Sequence, residues 1–216
     1  MRRRIIAVLM AVMLLAVFAP ATVFATSDSV YMTGYDQVIK KKNTVYCAGT
    51  GGIYRVILKN GKVKSKKRIV KNEYAFAPKS YQCAMRLKGN YLYFLSGGEG
   101  TGGSLCRVRS SGGKVKRLAT NIPLSDQYFK YAIKGTKIYY YTYKLDEDYN
   151  IAGIARRMMS LNGKNKSKTS KKAVLKHKKR NVKGYSVRIK TSGSYYKDYL
   201  KTPKGSFYLG KAKQLG

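Results

Sequence analysis

Along most of this chain apolar and aromatic residues come in runs of four to eight, and the runs are separated by short turns rich in Gly, Asn and Lys. Runs of this length, with Tyr, Val, Ile and Leu alternating against polar residues, predict half-buried and buried β-strands rather than helices. One arrangement returns four times. Val45-Tyr46, Leu92-Tyr93, Ile138-Tyr139 and Val187-Arg188 stand at steps of 47, 46 and 49 residues. Each is followed by a second strand and a tight turn: Asn60-Gly61-Lys62, Gly112-Gly113-Lys114, Asn162-Gly163-Lys164 and, more loosely, Pro203-Lys204-Gly205. A period in the mid-forties built of paired strands and hairpin turns is the mark of a β-propeller blade. The expectation is an all-β, propeller-like fold of four antiparallel repeats over residues 36–71, 80–121, 127–173 and 180–213. Such repeats form either a closed four-bladed ring or a partial propeller.

Within the repeats the pattern predicts strands at 36–40, 45–48, 53–59 and 63–70, then at 80–87, 91–96, 105–110 and 114–119. The third repeat predicts strands at 127–133, 137–143 and 154–161 with a lysine-rich fourth segment, and the fourth repeat strands at 182–191, 194–201 and 206–211. The fourth repeat is thus one strand short, and the expectation is that its outermost strand is the missing one. An orphan strand near Val30 to Thr33 is available to complete that blade from the other end of the chain. The loops 49–52, 97–103 and 144–153 carry glycine, and a pocket near the propeller axis would be built from them.

The first 25 residues follow a different logic. Arg2, Arg3 and Arg4 precede an unbroken apolar run from Ile5 to Ala19, and Val23-Phe24-Ala25 presents small residues where a signal peptidase reads. A run of this length is short for a span of about 20 residues. The expectation is a leader over residues 1–25 cleaved between Ala25 and Thr26, an exported product with no transmembrane span, and a domain over residues 26–216. With Arg2, Arg3 and Arg4 removed, the net charge of +36 falls by three to +33. A surface so charged attracts polyanions over roughly 8 to 10 Å at ordinary salt. Lysines alternating along strands, as in Lys62-Val63-Lys64 and Lys114-Val115-Lys116, also protect sheet edges from pairing with other chains. Edge protection does not by itself call for the 42 basic residues that remain of 45 once the leader's three arginines are gone, against nine acidic ones.

Counting back from Gly61, Gly113 and Gly163 places Arg55, Arg107 and Arg157 at one position, followed by apolar Val56, Val108 and Met158. Successive strand residues face opposite sides, so the three arginines are expected to share one face, with Tyr199 at that place in the fourth repeat. Two readings stand. The guanidinium forks, with Lys62, Lys114 and Lys164 at the turns, take phosphate or carboxylate from a polyanion. Alternatively the arginines stack on tyrosines or bond backbone within the fold, which is the first reading because repeats conserve packing before function. The 20 tyrosines are likewise read first as packing between blades and second as a stacking surface.

Other chemistry finds little support. Cys83 and Cys106 fall two strands apart, about 9.6 Å, too far for a disulfide, and Cys47 reads as a small core residue in the place of Phe94. No Cys/His spacing suits a metal. His177 stands among lysines with nothing to orient it as an acid or base. Asp146-Glu147-Asp148 is the one acidic cluster, without the spacing of a calcium loop. No catalytic residues, cofactor or metal are expected.

The segments Gly135 to Tyr141, Ile53 to Val56 with Asn60 to Lys62, and Leu105 to Val108 with Gly112 to Lys114 carry a resemblance. Together they resemble exported bacterial repeats similar to the low-density-lipoprotein-receptor-like (YWTD-type) β-propeller, a domain family of unknown function. The likeness spans about Asp36 to Lys211 and implies a propeller without implying an activity. Such propellers commonly have six blades where four are visible here. The expected role is that of an exported, non-catalytic binding or scaffold protein, secreted or held at the cell envelope, its partner an anionic wall polymer, acidic polysaccharide or nucleic acid. Two alternatives remain at this point: a carbohydrate- or phosphoester-active enzyme using Arg107, Arg157 and Asp146 to Asp148, and a structural subunit or homo-oligomer.

Overall fold

A computed structural model describes residues 29–31, 37–71, 84–97, 102–124, 130–170 and 182–213. The leader with its Ala25-Thr26 junction, Cys83 and His177 lie outside the described residues. Sixteen strands account for the regular structure. Sheet I holds β2 (Val38–Lys41), β3 (Thr44–Gly49), β4 (Gly52–Lys59) and β5 (Lys62–Lys71). Sheet II holds β6 (Arg86–Lys88), β7 (Tyr91–Ser96), β8 (Gly103–Arg109) and β9 (Lys116–Ile122). Sheet III holds β10 (Tyr131–Lys134), β11 (Lys137–Leu145), β12 (Ile151–Ser160) and β13 (Ser167–Lys168). Sheet IV joins β1 (Ser29–Tyr31) to β14 (Ser186–Ser192), β15 (Tyr195–Thr202) and β16 (Gly205–Lys213). Every neighbouring pair is antiparallel.

The turns explain the pairing. Asn60 and Gly61 both have positive φ, 53° and 78°, which is the backbone a two-residue hairpin needs to match the twist of its strands. The chain therefore folds back at once from β4 into β5. The orphan strand does complete the fourth sheet, but at the opposite edge from the one expected. β1 pairs with β14, Val30 opposite Ile189, so it takes the place that β2, β6 and β10 hold in the other sheets. The three strands of the last repeat are its second, third and fourth, with β16 at the edge. Spacing alone could not separate a missing first strand from a missing last one, because both leave three strands joined by two turns.

Packing between sheets follows the two-residue period. Val45 and Cys47 of β3 face sheet IV, where they meet Val187, Ile189, Leu200 and Leu209. Their neighbours Tyr46 and Ala48 face sheet II, meeting Met85, Leu92 and Phe94. In sheet II the next residues along β7, Tyr93 and Leu95, turn to sheet III and pack with Tyr131, Ile138, Tyr140 and Met159. Three apolar layers thus join the sheets in the order IV–I–II–III.

Two cysteines show how closely these layers are fitted. Cys47 lies across from Tyr54 in sheet I, while at the matching place in sheet II Phe94 lies across from Cys106. The large and small members have exchanged strands, which conserves volume in each pair and fills the layer without strain. Both thiols are free and fully buried, and burial pushes Cys106 up to about 11 and Cys47 higher still. A thiol reagent needs the exposed thiolate. Mass-resolved labelling at neutral pH is expected to leave Cys47 and Cys106 unmodified in the folded protein and to modify both in denaturant; rapid labelling under native conditions would show the layers to be open.

Candidate functional site

The glycine loop between β3 and β4 was the first place to look for a pocket, and it is filled from within the fold. Gly49, Thr50, Gly51 and Gly52 are all buried. Asp198 of β15, with no exposed surface, enters the loop from sheet IV. Its Oδ1 accepts hydrogen bonds from the Thr50 amide at 3.0 Å and the Thr50 hydroxyl at 2.7 Å. Its Oδ2 accepts from the Gly51 amide at 2.7 Å and the Tyr54 hydroxyl at 3.3 Å. Arg68 donates to the Gly51 carbonyl at 3.2 Å from the other side of the loop. Glycine makes this approach possible: a Cβ on Gly49 would stand 2.5 Å from the Asp198 carboxyl carbon, and one on Gly210 2.5 Å from the Tyr54 hydroxyl. A carboxylate with four donors and no open face meets no substrate. It is a clasp between sheets IV and I.

Nothing in the repeat pattern pointed to Asp198. The available signal was its isolation: a lone acid in a strand whose neighbours Ile189 and Leu200 face sheet I. Asp198 shares the inward face of β15 with Leu200 two residues on, while Tyr199, opposite Arg188, faces away from sheet I; the bulge beside them lies in β16, where Leu209 is the extra residue between Tyr208 and Gly210. Tyr199 therefore does not take the place of Arg55.

The three arginines do not share a face. Arg55 lies across from Tyr46, and Arg107 across from Tyr93, so both look toward the next sheet in the arc. Arg157 lies across from Tyr140, which packs back onto sheet II. The matching residue in sheet III is Met158, opposite Tyr139. The β12–β13 turn is offset by one residue from the other two, and in a strand one residue reverses the face.

Arg107 is held within the fold. Its guanidinium lies 4.5 Å from the centre of the Tyr91 ring and donates to the Leu161 carbonyl of sheet III at 3.0 Å, a carbonyl that also accepts from the Tyr93 hydroxyl at 3.1 Å. Around it is a groove of ≈ 620 Å³ whose lining includes Tyr91, Arg107, Arg109, Lys114, Lys116 and Arg117, with no acid among the described residues. Arg109, Lys114, Lys116 and Arg117 are exposed. Of the expected residues, Arg107 and Lys114 are thus brought together. Lys62 and Lys164 are exposed at the turns of sheets I and III, and Arg55 is half-buried beside Tyr46.

The tyrosines divide similarly. Tyr46, Tyr54, Tyr93, Tyr131, Tyr140 and Tyr141 are buried in or against the layers, whereas the exposed rings of Tyr195 and Tyr208 are covered by Lys211 and Lys66 at 4.8 and 4.7 Å. Tyr149 is 77% exposed at the β11–β12 tip. There the Asp146 carboxylate closes its own turn, accepting from the amides of Asp148 at 3.1 Å and Asn150 at 2.7 Å. Tyr140, opposite Arg157, is six residues back along the strand from Asp146, about 20 Å at about 3.3 Å per residue. Arg107 reaches the other end of the same sheet, beyond Ser160. The acidic cluster and the arginines do not converge on one site.

No family model and no curated protein matches the chain. Among solved structures it is similar to a puromycin-hydrolyzing peptidase of Mycobacterium tuberculosis, at 10% identity and a TM-score of 0.39, over 87% of this chain and 32% of the peptidase. The chain spans about a third of that protein's length.

The clasp has consequences for stability. Burial, the largest influence, raises the Asp198 carboxyl above its ordinary value, and the donors from Thr50, Gly51 and Tyr54 pull it part of the way back. Between the unfolded and folded values the folded chain holds a proton that the unfolded chain has released, so this group's contribution falls as pH rises. The stability difference between the wild type and Asp198→Asn, measured by urea unfolding, is expected to shrink as pH rises from about 3 and to level off above the folded value; a difference independent of pH would contradict it. Asp198→Ala, which strands the buried donors, is expected to cost about 3 kcal/mol, and Gly210→Ala to destabilise by overlap with Tyr54. Unchanged unfolding midpoints for both variants would show that the clasp carries no weight.

Proposed function

We propose that this protein is an exported, non-catalytic binding module of propeller-like form, whose cationic strand edges hold an anionic polymer of the cell envelope. One observation carries the reading. The fourth strand of each sheet lies at a sheet edge and carries exposed basic residues: Lys62, Lys64, Lys66, Lys67, Arg68 and Lys71 on β5, Lys116 and Arg117 on β9, Lys168 on β13, and Lys211 and Lys213 on β16. Among the described residues the acids are four. Asp198 is buried in the clasp, and Asp146, Glu147 and Asp148 sit together on one hairpin tip, so among the described residues no acid stands on the strand edges to neutralise them.

Export is supported by the pattern of residues 1–25, and among the described residues no helix is long and apolar enough to cross a membrane. The propeller form is supported by the ordered stacking IV–I–II–III and by the terminal strand β1 completing the sheet of the last repeat. Lysine at a sheet edge also prevents edge-to-edge pairing, and the two roles are compatible. The edge presents like charges in a row, and a linear polyanion releases its counterions when it lies along them.

Retention of the mature chain on isolated cell wall is expected to fall steeply between about 50 and 200 mM salt, log affinity declining linearly with log salt, and a neutral polysaccharide matrix is expected to retain none. Retention insensitive to salt, or equal on the neutral matrix, would overturn the reading.

A further inference from the structure

The cations of sheet II stand around a groove. Arg107 and Arg109 rise from β8, Lys116 and Arg117 from β9, and Lys114 from the turn between them, so the groove is lined by donors from two paired strands and their turn. Arg107 sits across from Lys116 and Tyr91 across from Arg109. The groove of ≈ 620 Å³ is in the range of sites that enclose several heavy-atom groups of a ligand. Five like charges in one hollow repel each other, and with no carboxylate among the described residues that line it the hollow suits an anion from outside.

The chemistry of that anion follows from two features. Arg107 covers the Tyr91 ring at 4.5 Å and Tyr91 also packs against the apolar layer between sheets II and III, so the ring is engaged within the fold rather than offered for stacking a sugar or a base. Recognition then falls to charge and hydrogen bonding. A carboxylate is planar and one guanidinium fork can saturate it, whereas a phosphate directs several oxygens outward and can accept from different walls at once. Arg107 is pinned to the Leu161 carbonyl and fixes the floor, leaving Arg109, Lys114, Lys116 and Arg117 to close on the ligand.

From this we infer that the groove between β8, β9 and their turn is the specific seat of polyanion binding and that it takes consecutive phosphate groups of a linear phosphate polymer. The inference rests on the polyanion-binding reading above and narrows it to one place and one chemistry.

The test measures fluorescence anisotropy of labelled inorganic polyphosphate, and separately of labelled polygalacturonate as a carboxylate chain, with the mature protein at a fixed moderate salt. One variant combines Arg109→Gln, Lys114→Gln, Lys116→Gln and Arg117→Gln. A second removes the same number of exposed charges from sheet I, by Lys59→Gln, Lys62→Gln, Lys64→Gln and Lys71→Gln. Both leave Arg107 and the buried layers intact, and matching thermal unfolding midpoints verify that both fold. Polyphosphate affinity is expected to fall about 100-fold in the first variant and about threefold in the second, and the wild type is expected to prefer polyphosphate to polygalacturonate by about tenfold. Equal losses in the two variants would overturn the groove while leaving the general reading standing. Equal or tighter binding of polygalacturonate would overturn the assignment to phosphate. Failure of the wild type to bind either polymer would overturn the polyanion reading itself.

Discussion

The junction between sheets IV and I turns on one buried carboxylate. Asp198 sits in a protein with 45 basic and nine acidic residues, yet its four donors are the amide and hydroxyl of Thr50, the Gly51 amide and the Tyr54 hydroxyl, and no cation is among them. Burying a charge is costly unless its hydrogen bonds are satisfied, and here the loop amides are preformed for it. The requirement spreads outward. It dictates glycine at Gly49 and Gly210, and it closes the first of the three glycine-bearing loops whose composition suggested a pocket. Because sheet IV contains both β1 and the last strands of the chain, the clasp also joins the two chain ends to the first repeat.

Elsewhere the architecture repeats a simple division of labour. The faces of the sheets are apolar and aromatic and bury one another, and the fourth strands carry the charge. Turns from one sheet also lie against the edge of another: the Lys67 ammonium donates to the Ser111 carbonyl at 3.3 Å, Lys66 to the Tyr208 carbonyl at 2.7 Å, and Gly163 faces Leu118. Lysines used this way tie sheet to sheet through backbone carbonyls, in a chain where the described surface acids are confined to the Asp146–Asp148 tip. The same chemistry has a limit in sheet II, where more cations gather than the fold has acceptors for.

How much of this was legible depends on the kind of signal. The all-β class, the four repeats and strands such as Tyr91–Ser96 follow from local alternation and turn residues, which act within a few positions. The pairing of Val45, Leu92 and Ile138 at one facing was likewise readable, since each begins the same apolar step. Facing across a turn was not. Arg157 was matched to Arg55 and Arg107 by counting from glycine, and an offset of one residue in the turn reversed it. Long-range matches were harder still: the place of β1 depends on an edge 159 residues away in sequence, Ile189 opposite Val30, and Asp198 on a loop 148 residues away at Thr50. The groove was legible only as two of its residues, Arg107 and Lys114, because Arg109 and Arg117 become neighbours of Tyr91 and Lys114 only once the hairpin closes.

Amide hydrogen exchange at Thr50 and Gly51 tests the central claim most directly. If the Asp198 carboxylate joins sheets IV and I as described, these two loop amides exchange as slowly as those in the centre of β3 and β4, opening only when the sheets part. Exchange at the rate of an exposed turn such as that around Gly193 would mean that the loop is free and that the two sheets are not clasped.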